Sequence, residues 1–305
     1  MYKQGVLSLE RKVAFVTGAG MGVGYGMALE YAKAGYDVAI HHSPSCAESA
    51  QELCRRMEGY GAKTLAIQAD LMKFENIKMM FDKVEETFGR LDVFINNAGI
   101  TVGAHLLDLE EDMWEKAFFI NEKAATFCIQ AAGRIMVKHH IPGNIIVVLS
   151  NQIEYKGMFT SVYPATKVAL KKVVESAAIE FIPFGIHVNG IAPGYVDTGA
   201  ARMGEKEPTY DSIPARRWVS LEEMGQIALF LCGPWAKSFV GHILMVDGGA
   251  TLYGGGRRLW EYAEKIQARV DAADTDEERF GSIPVARERG AHYHEWQSVV
   301  GKEKK

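Results

Sequence analysis

Short apolar segments alternate with helical segments along most of this chain, and that alternation restricts the possible folds more than any other feature. The apolar segments, such as residues 13–16 and 144–149, are continuous rather than alternating in polarity, which is typical of strands buried on both faces. Helices between such strands connect them in parallel and cover both faces of the sheet. The sequence therefore predicts an α/β fold with a doubly wound, Rossmann-like parallel sheet.

The predicted elements follow one another without a linker before residue 250. Gly35 is placed to end the first helix, and Ser220 with Glu223 forms a capping box at the start of another. Strands are predicted over residues 13–16, 38–40, 64–69, 93–95, 144–149, 187–191 and 243–246. Helices are predicted from the glycine-rich segment to residue 33 and over residues 47–58, 75–88, 112–138, 163–181 and 221–232.

The 305 residues could hold two ordinary domains, yet α/β folds often exceed about 250 residues as one. We expect residues 1–250 to form a single domain and residues 251–305 to form a C-terminal helical extension. Apolar residues at helical spacing predict an amphipathic helix over 259–270, followed by an irregular tail. The extension is expected to pack loosely, to wrap a neighbouring subunit, or to cover an active site. Its candidate anchors are Trp260, Phe280, Tyr293 and Trp296.

Composition and charge exclude several classes of function. The chain is 48% hydrophobic, but no stretch approaches the roughly 18 apolar residues that indicate a membrane span. Its formal net charge of −4 gives no attraction for nucleic acid or anionic lipid. We therefore expect no nucleic-acid partner and no membrane association. The N-terminus lacks the apolar core of a signal peptide, so a cytoplasmic location is expected.

No metal site is expected from the cysteines and histidines. Cys46, Cys54, Cys128 and Cys232 are widely spread, and none forms a C-x-x-C pair or a cluster at zinc spacing. The histidine pairs at 41–42 and 139–140 are adjacent in sequence, so their side chains face different ways on a strand or helix. Buried free thiols are the simplest interpretation of the cysteines.

A glycine-rich segment directly after the first strand indicates a phosphate-binding turn. Gly18, Gly22 and Gly24 follow the strand 13–16 and lead into a helix. Glycines let the backbone turn sharply and approach a pyrophosphate, and the helix N-terminus supplies amide donors. Such patterns also occur as tight turns without a ligand, and the position after the first strand favours the nucleotide.

Three further residues have the chemistry of a proton-transfer site. Tyr163 and Lys167 are four residues apart and share one face of a helix. A lysine cation beside a tyrosine hydroxyl lowers the pKa of that hydroxyl, which is normally about 10, and makes it usable as an acid or base near neutral pH. Ser150 ends a strand, where a doubly wound sheet opens into its ligand crevice.

Taken in order, these motifs resemble the short-chain dehydrogenase/reductase family over residues 10–250. Each motif is weak alone, but their order and spacing together make the resemblance specific. The matching motifs are Thr17-Gly18-x-x-x-Gly22-x-Gly24, Asp70-Leu71, Asn96-Asn97-Ala98-Gly99, Asn121, Ser150, Tyr163-x-x-x-Lys167, Pro193-Gly194-Tyr195-Val196-Asp197-Thr198 and Asp247-Gly248-Gly249.

The resemblance implies an enzyme that passes hydride to or from a nicotinamide dinucleotide and interconverts a ketone and a secondary alcohol. Tyr163 would be the acid or base, Ser150 would polarise the carbonyl, Lys167 would lower the Tyr163 pKa and bind ribose, and Asn121 would help hold a relay water. Members are usually tetramers or dimers, so a homo-oligomer is implied. The implied cofactor contacts are Gly18, Met21, Gly22, Val23, Gly24, His42, Ser43, Asp70, Leu71, Asn97, Ala98, Gly99, Tyr163, Lys167, Pro193, Gly194, Val196 and Thr198.

The choice between NAD and NADP depends on the end of the second strand. NAD-specific members usually carry an acidic residue there, whereas this chain has His42, followed by Ser43 and Ser45. These side chains suit a 2′-phosphate better than a ribose diol. Met21 stands where NADP-preferring relatives often carry Arg or Lys. The sequence favours NADP and leaves NAD open.

Two segments, residues 150–162 and 195–218, are expected to contact a small carbonyl or alcohol substrate. The predicted contacts are Ser150, Gln152, Glu154, Tyr163 and Tyr195. Gln152 and Glu154 could hydrogen-bond hydroxyl groups, as a sugar or polyol would require. Apolar neighbours suit a hydroxysteroid or bulky ketone equally well. A 3-oxoacyl thioester reductase is an alternative, and a non-catalytic nucleotide-binding scaffold is a remote one. The apolar neighbours are Tyr155, Met158, Phe159, Tyr195 and Met203.

Overall fold

A computed structural model describes residues 11–154, 160–198, 213–252 and 256–273. Within these ranges seven parallel strands form one sheet in the order β3-β2-β1-β4-β5-β6-β7. The strands are β1 (Val13–Val16), β2 (Asp37–His42), β3 (Thr64–Gln68), β4 (Val93–Asn96), β5 (Asn144–Val148), β6 (His187–Pro193) and β7 (Ile243–Val246). The predicted doubly wound α/β fold is confirmed.

Eight α-helices are present in the part of the chain that the structure describes. The predicted helix over residues 112–138 is divided, because a π-helical segment (Phe119–Ala124) separates two α-helices. The α-helices are α1 (Gly22–Lys33), α2 (Ala47–Glu58), α3 (Glu75–Phe88), α4 (Glu111–Phe118), α5 (Ala125–Lys138), α6 (Val162–Phe181), α7 (Leu221–Leu231) and α8 (Gly256–Ala272).

The core has two layers, one on each face of the sheet. One layer packs α3, α5 and α6 through residues such as Phe81, Ile129 and Leu170 against the strands. The other packs α1, α2 and α7 through residues such as Met27 and Leu53. The sheet is buried on both faces because β1, β4 and β5 are largely apolar, as the continuous runs in the sequence predict.

The strand order reverses beside β1, and this reversal positions the ligand crevice. The chain runs outward from β1 to β2 and β3, then crosses back to place β4 on the other side of β1. The connections after β1 and β4 therefore leave in opposite directions and open a crevice at the carboxyl ends of these strands.

The capping box at the start of α7 is present as predicted. The Ser220 hydroxyl accepts from the Glu223 amide at 3.0 Å, and the Glu223 carboxylate accepts from the Ser220 amide at 2.9 Å. Two amides at the N-terminus of the helix are thereby satisfied by side chains.

The chain divides into two compact units, Met1–Gly256 and Arg257–Lys305. The described part of the second unit is α8, a helix in the stretch where the sequence predicts one. Residues 274–305, with the candidate anchors Phe280, Tyr293 and Trp296, lie outside the described residues. None of the described helices is long and apolar enough to cross a membrane.

Candidate active site

A cleft of about 690 Å³ lies at the carboxyl ends of the strands, at the crevice beside β1. It runs from the glycine-rich segment after β1, past the ends of β2, β3 and β4, to the ends of β5 and β6. The predicted cofactor residues that line it are Gly18, Met21, Val23, His42, Ser43, Asp70, Leu71, Asn97, Ala98, Gly99, Tyr163, Lys167, Pro193, Gly194, Val196 and Thr198.

The two other predicted glycines, Gly22 and Gly24, do not line the cleft, and they shape the turn instead. Gly22 starts α1 with φ of +60°, a backbone conformation that favours glycine. A Cβ on Gly24 would lie 2.7 Å from the Gly18 carbonyl oxygen, so glycine is needed for the helix to approach the turn.

The glycine-rich turn is held from the β4 side by the asparagine that follows this strand. Asn97 Nδ2 donates to the carbonyl oxygens of Thr17, at 3.0 Å, and Gly18, at 3.1 Å. The Thr17 hydroxyl accepts in return from the amides of Asn97, at 3.0 Å, and Ala98, at 3.1 Å. Gly18 has a φ of +65°, and a Cβ there would lie 2.8 Å from the Cα of Ala98. The turn therefore requires glycine and fits the close approach of a pyrophosphate.

Ser150 and Tyr163 meet at the end of β5. Ser150 follows this strand and is 7% exposed, and its hydroxyl accepts from the amide of Gln152 at 3.2 Å. Tyr163 lies in the first turn of α6. Burial raises the pKa of the Tyr163 hydroxyl, while its hydrogen bond with Ser150 lowers it, and the net shift is upward. The two hydroxyls form a pair suited to protonating an oxyanion.

Lys167 is buried one turn after Tyr163, but it does not lower the Tyr163 pKa in the way the sequence predicts. Its Nζ donates to the carbonyl oxygen of Val148 at 2.9 Å and lies 5.8 Å from the centre of the Tyr163 ring. Burial lowers the pKa of Lys167 itself to about 8. Removal from water is thus the largest effect at both side chains. The Tyr163 pKa is therefore raised, whereas the sequence predicts that it is lowered.

Asn121 is fully buried in the π-helical segment and reaches the same place. Its Oδ1 accepts from the Ile100 amide at 2.8 Å, and its Nδ2 donates to the Ile100 carbonyl at 2.8 Å and to the Thr166 hydroxyl at 3.2 Å. A Cβ on Gly99 would lie 3.2 Å from Asn121 Oδ1 and 3.6 Å from Lys167 Nζ, so the three residues converge. Single-turn π segments inside helices are frequent at functional sites.

The predicted substrate contacts Gln152, Glu154 and Tyr195 are not brought into this cleft. Glu154 forms an ion pair with Lys171 at 3.3 Å and lines a separate cavity. Tyr195 is half-exposed and stacks on Trp218, with ring centres 6.1 Å apart. The Oε1 of Gln152 is buried and has no hydrogen-bond partner in the described structure.

The predicted apolar contacts Tyr155, Met158, Phe159 and Met203 lie outside the described residues.

Several cleft residues are not predicted from the sequence. Their approach to the cleft depends on long-range packing of the strands and of the segments between them, so their residue types carry no local signal. In the described chain no group of three or more His, Cys, Asp or Glu side chains is placed to hold a metal ion. The cleft residues that were not predicted are Gly20, His41, Pro44, Cys46, Ala69, Ile100, Thr101, Ile120, Val148 and Leu149.

A phosphate-binding turn at the strand-order reversal, with a hydroxyl pair at the far end of the same cleft, defines the class of dinucleotide-dependent oxidoreductases. Comparison with known proteins agrees. Residues 18–251 match the family model described as enoyl-(acyl carrier protein) reductase. The chain belongs to the short-chain dehydrogenase/reductase family, and it is an NAD(P)-dependent oxidoreductase.

Individual relatives cover the same part of the chain. The 3-oxoacyl-[acyl-carrier-protein] reductase FabG of Staphylococcus aureus strain Mu50 is 34% identical over 242 residues, covering 78% of this chain and 97% of FabG. The uncharacterized oxidoreductase YohF of Escherichia coli strain K12 is 33% identical over 245 residues, covering 79% and 96%. The crystal structure of acetoin dehydrogenase YohF from Salmonella typhimurium superposes with a TM-score of 0.74 at 31% identity, covering 80% and 97%.

Proposed function

We propose that this chain interconverts a ketone and a secondary alcohol with NADP as the preferred cofactor and Tyr163 as the acid or base. The observation that carries this proposal is the hydrogen-bonded pair of Ser150 and Tyr163, which lies in the same cleft as the glycine-rich turn. A carbonyl oxygen that accepts from both hydroxyls would be polarised and then protonated in place.

The residues of this chain divide the work of proton transfer and binding. Tyr163 donates its hydroxyl proton to the oxygen of a ketone, or accepts the proton of an alcohol in the reverse direction. Ser150 holds the substrate oxygen, Lys167 binds the ribose, and Asn121 fixes the Ile100 backbone beside them. When bound, the dinucleotide supplies or accepts the hydride.

Replacing Tyr163 with phenylalanine tests the proposed role of its hydroxyl. We expect Tyr163→Phe to lower kcat by at least about 10³-fold, because the proton donor is lost, while the Kd for NADPH changes little. Tyr195→Phe is the matched control, since Tyr195 is a half-exposed tyrosine outside the cleft. A Tyr163→Phe enzyme with an unchanged rate would overturn the mechanism.

The preference for NADP is supported by the end of β2. This strand ends at His42, and the cleft there is lined by His42, Ser43, Pro44 and Cys46, none of which is a carboxylate. The exposed Ser43 hydroxyl lies 2.9 Å from the Ser45 hydroxyl. This end of β2 therefore offers two neighbouring hydroxyl groups that could hydrogen-bond a phosphate. A carboxylate is the group that would discriminate against that phosphate.

Changing Ser43 tests the cofactor preference. We expect wild-type kcat/KM to be at least about tenfold higher with NADPH than with NADH. Ser43→Asp should reverse or abolish that ratio, because two like charges would meet, and Ser43→Asn is the neutral control of the same size. Equal wild-type values for the two cofactors, or a preference for NADH, would exclude NADP as the preferred cofactor.

For the substrate, we propose a ketone that carries a second oxygen group nearby, with a hydroxyketone or its diol first. The support is the acetoin dehydrogenase structure, which is 31% identical to this chain. The second candidate is a 3-oxoacyl thioester, which is supported by the FabG relative at 34% identity. Sugars, polyols and hydroxysteroids remain predictions of the sequence.

A substrate panel separates these classes. Acetoin, a 3-oxoacyl thioester, aldoses and hydroxysteroids are compared by kcat/KM with NADPH or NADP. We expect the hydroxyketone to exceed the others by at least about tenfold. Higher turnover of the thioester would favour the second candidate, and no turnover of any member would favour a non-catalytic scaffold. A homo-oligomer and a cytoplasmic location stay predictions.

A further inference from the structure

His41 is a buried histidine on the wall of the cleft that has no part in the proposed proton transfer. It is the penultimate residue of β2, is 4% exposed, and lies between the glycine-rich turn and the segment after β3. Both of its ring nitrogens are within hydrogen-bond distance of backbone groups from these two segments.

His41 holds two consecutive amides of the glycine-rich turn. Its Nδ1 accepts from the Gly18 amide at 3.2 Å, and its own carbonyl oxygen accepts from the Ala19 amide at 2.9 Å. Asn97 binds the Gly18 carbonyl from the opposite side, at 3.1 Å. The peptide groups that flank Gly18 are therefore fixed from both sides, by β2 and by the segment after β4.

The other ring nitrogen reaches the segment that follows β3. His41 Nε2 lies 3.3 Å from the carbonyl oxygen of Ala69, the residue before Asp70 and Leu71 in the cleft wall. Since Nδ1 accepts a hydrogen bond, the ring proton must be on Nε2, where it donates to Ala69. Burial lowers the pKa of His41 to about 4, so the ring is neutral at pH 7 and keeps one acceptor and one donor.

We propose that neutral His41 is a positioning residue for the dinucleotide, acting through its hydrogen bond to the Gly18 amide. The bond to Ala69 sets the orientation and tautomer of the ring, and the oriented ring sets the glycine-rich turn. A turn fixed before binding does not have to be ordered by the ligand, so affinity is gained without a direct contact. This inference rests on the proposed function, because it requires that a dinucleotide binds in this cleft.

Two substitutions of His41 separate its two hydrogen bonds. Asparagine places its amide oxygen near the position of Nδ1, so His41→Asn keeps an acceptor for Gly18 and loses the donor to Ala69. Glutamine places its amide nitrogen near the position of Nε2, so His41→Gln keeps the donor and loses the acceptor. The two variants are both neutral amides and serve as controls for each other.

The Kd for NADPH, measured by fluorescence titration, is the first readout. We expect His41→Gln to raise this Kd about tenfold, the effect of leaving a buried amide without its acceptor, and His41→Asn to stay within about threefold of wild type. At saturating NADPH both variants should keep kcat within about twofold. Equal weakening in both variants, or no weakening in either, would overturn the proposal, since the ring would then only fill space.

The tautomer of His41 in the full-length wild-type protein is the second readout, and it needs no variant and no ligand. Nitrogen-15 NMR at pH 7 should show a neutral ring with its proton on Nε2. A proton on Nδ1 overturns the role of His41 while leaving the proposed function intact. If wild type binds neither NADPH nor NADH, the proposed function itself fails and so does any role of His41 towards a dinucleotide.

Discussion

Tyr163 and Lys167 lie on one face of α6, yet burial affects the two side chains in opposite directions. It raises the pKa of the Tyr163 hydroxyl and lowers that of the Lys167 ammonium to about 8. Both shifts disfavour the charged form, which is the expected effect of removing water. Ser150, through its hydrogen bond, is the neighbour that lowers the Tyr163 pKa. The acid–base behaviour of Tyr163 therefore depends on its burial and on the serine.

Removing the Ser150 hydroxyl should move the pH dependence of catalysis. Alcohol oxidation requires Tyr163 in its deprotonated form, so its rate rises as the pH passes the Tyr163 pKa. Ser150→Ala leaves burial unopposed, raises that pKa, and should shift the rising limb of the kcat profile to higher pH while lowering kcat about 10²-fold. Ser176→Ala, at an exposed position of α6, is the control. A lower rate with an unmoved limb would contradict this assignment.

The four thiols should differ in reactivity according to burial. Burial raises the pKa of Cys128 and of Cys232 to about 12 and also raises that of Cys54, whereas Cys46 lies on the cleft wall. Because the thiolate is the reactive form, we expect iodoacetamide at pH 8 to label Cys46 first and NADPH to slow this labelling. Peptide mass spectrometry measures the order, with Cys46→Ser as the control. Equally fast labelling of Cys128 would contradict the described burial.

Sequence patterns reveal the residues whose role depends on local spacing. Tyr163 and Lys167 are recognised because they are four positions apart on a helix, and Ser150 because it follows a strand. His41 has no such signal, since its partners Gly18 and Ala69 are 23 and 28 residues away. Glu154 is a similar case, because the local sequence does not predict its ion pair with Lys171 on α6.

At the scale of elements, the strands were predictable because burial on both faces requires continuous apolar runs. β2 extends to His42, beyond its predicted end at residue 40, because the two histidines continue the pairing with β3. The π-helical segment was not predictable, since one inserted residue in a helix leaves little trace in a short apolar pattern. That segment nevertheless positions Asn121, so one residue of the candidate site lies on the element that the sequence predicts least well.

The capping box of α7 should contribute measurably to stability. Ser220→Ala removes the acceptor for the Glu223 amide, and the expected loss in the free energy of unfolding is about 1 kcal/mol. Ser176→Ala is the control, because an exposed serine inside α6 lacks this role and alanine is the better helix former. Urea unfolding followed by circular dichroism gives both values. Equal effects of the two substitutions would contradict a capping contribution.

The same capping box should make stability depend on acid. Arg217 and the Ser220 amide lower the pKa of Glu223 to about 2, against an ordinary value of 4.5. Its stabilising contribution is therefore complete above the ordinary value and is lost as the pH falls from there towards 2. We expect Glu223→Gln to flatten this part of the stability profile relative to wild type, measured by urea unfolding between pH 6 and 3. An unchanged profile would show that solvent screens the pair.

At the scale of the whole molecule, the family match and the functional residues end before the second unit begins. The match stops at residue 251, and the sheet with all of its cleft residues lies within Met1–Gly256. The second unit begins with α8, on which Tyr262 is 58% exposed and Trp260 38% exposed. Exposed aromatic side chains on an amphipathic helix are suitable for an interaction surface.

A chain that ends at Gly256 should therefore bind the dinucleotide as the full chain does. We expect its Kd for NADPH to stay within about twofold, because each residue that lines the cleft is retained. Light scattering and the KM for the carbonyl substrate then distinguish the roles expected for the extension. A smaller assembly indicates that the extension joins subunits, a changed KM alone indicates a cover over the active site, and no change in either indicates a loosely packed appendage. A Kd raised more than about tenfold would contradict the independence of the first unit, because the cofactor site would then depend on residues beyond the sheet.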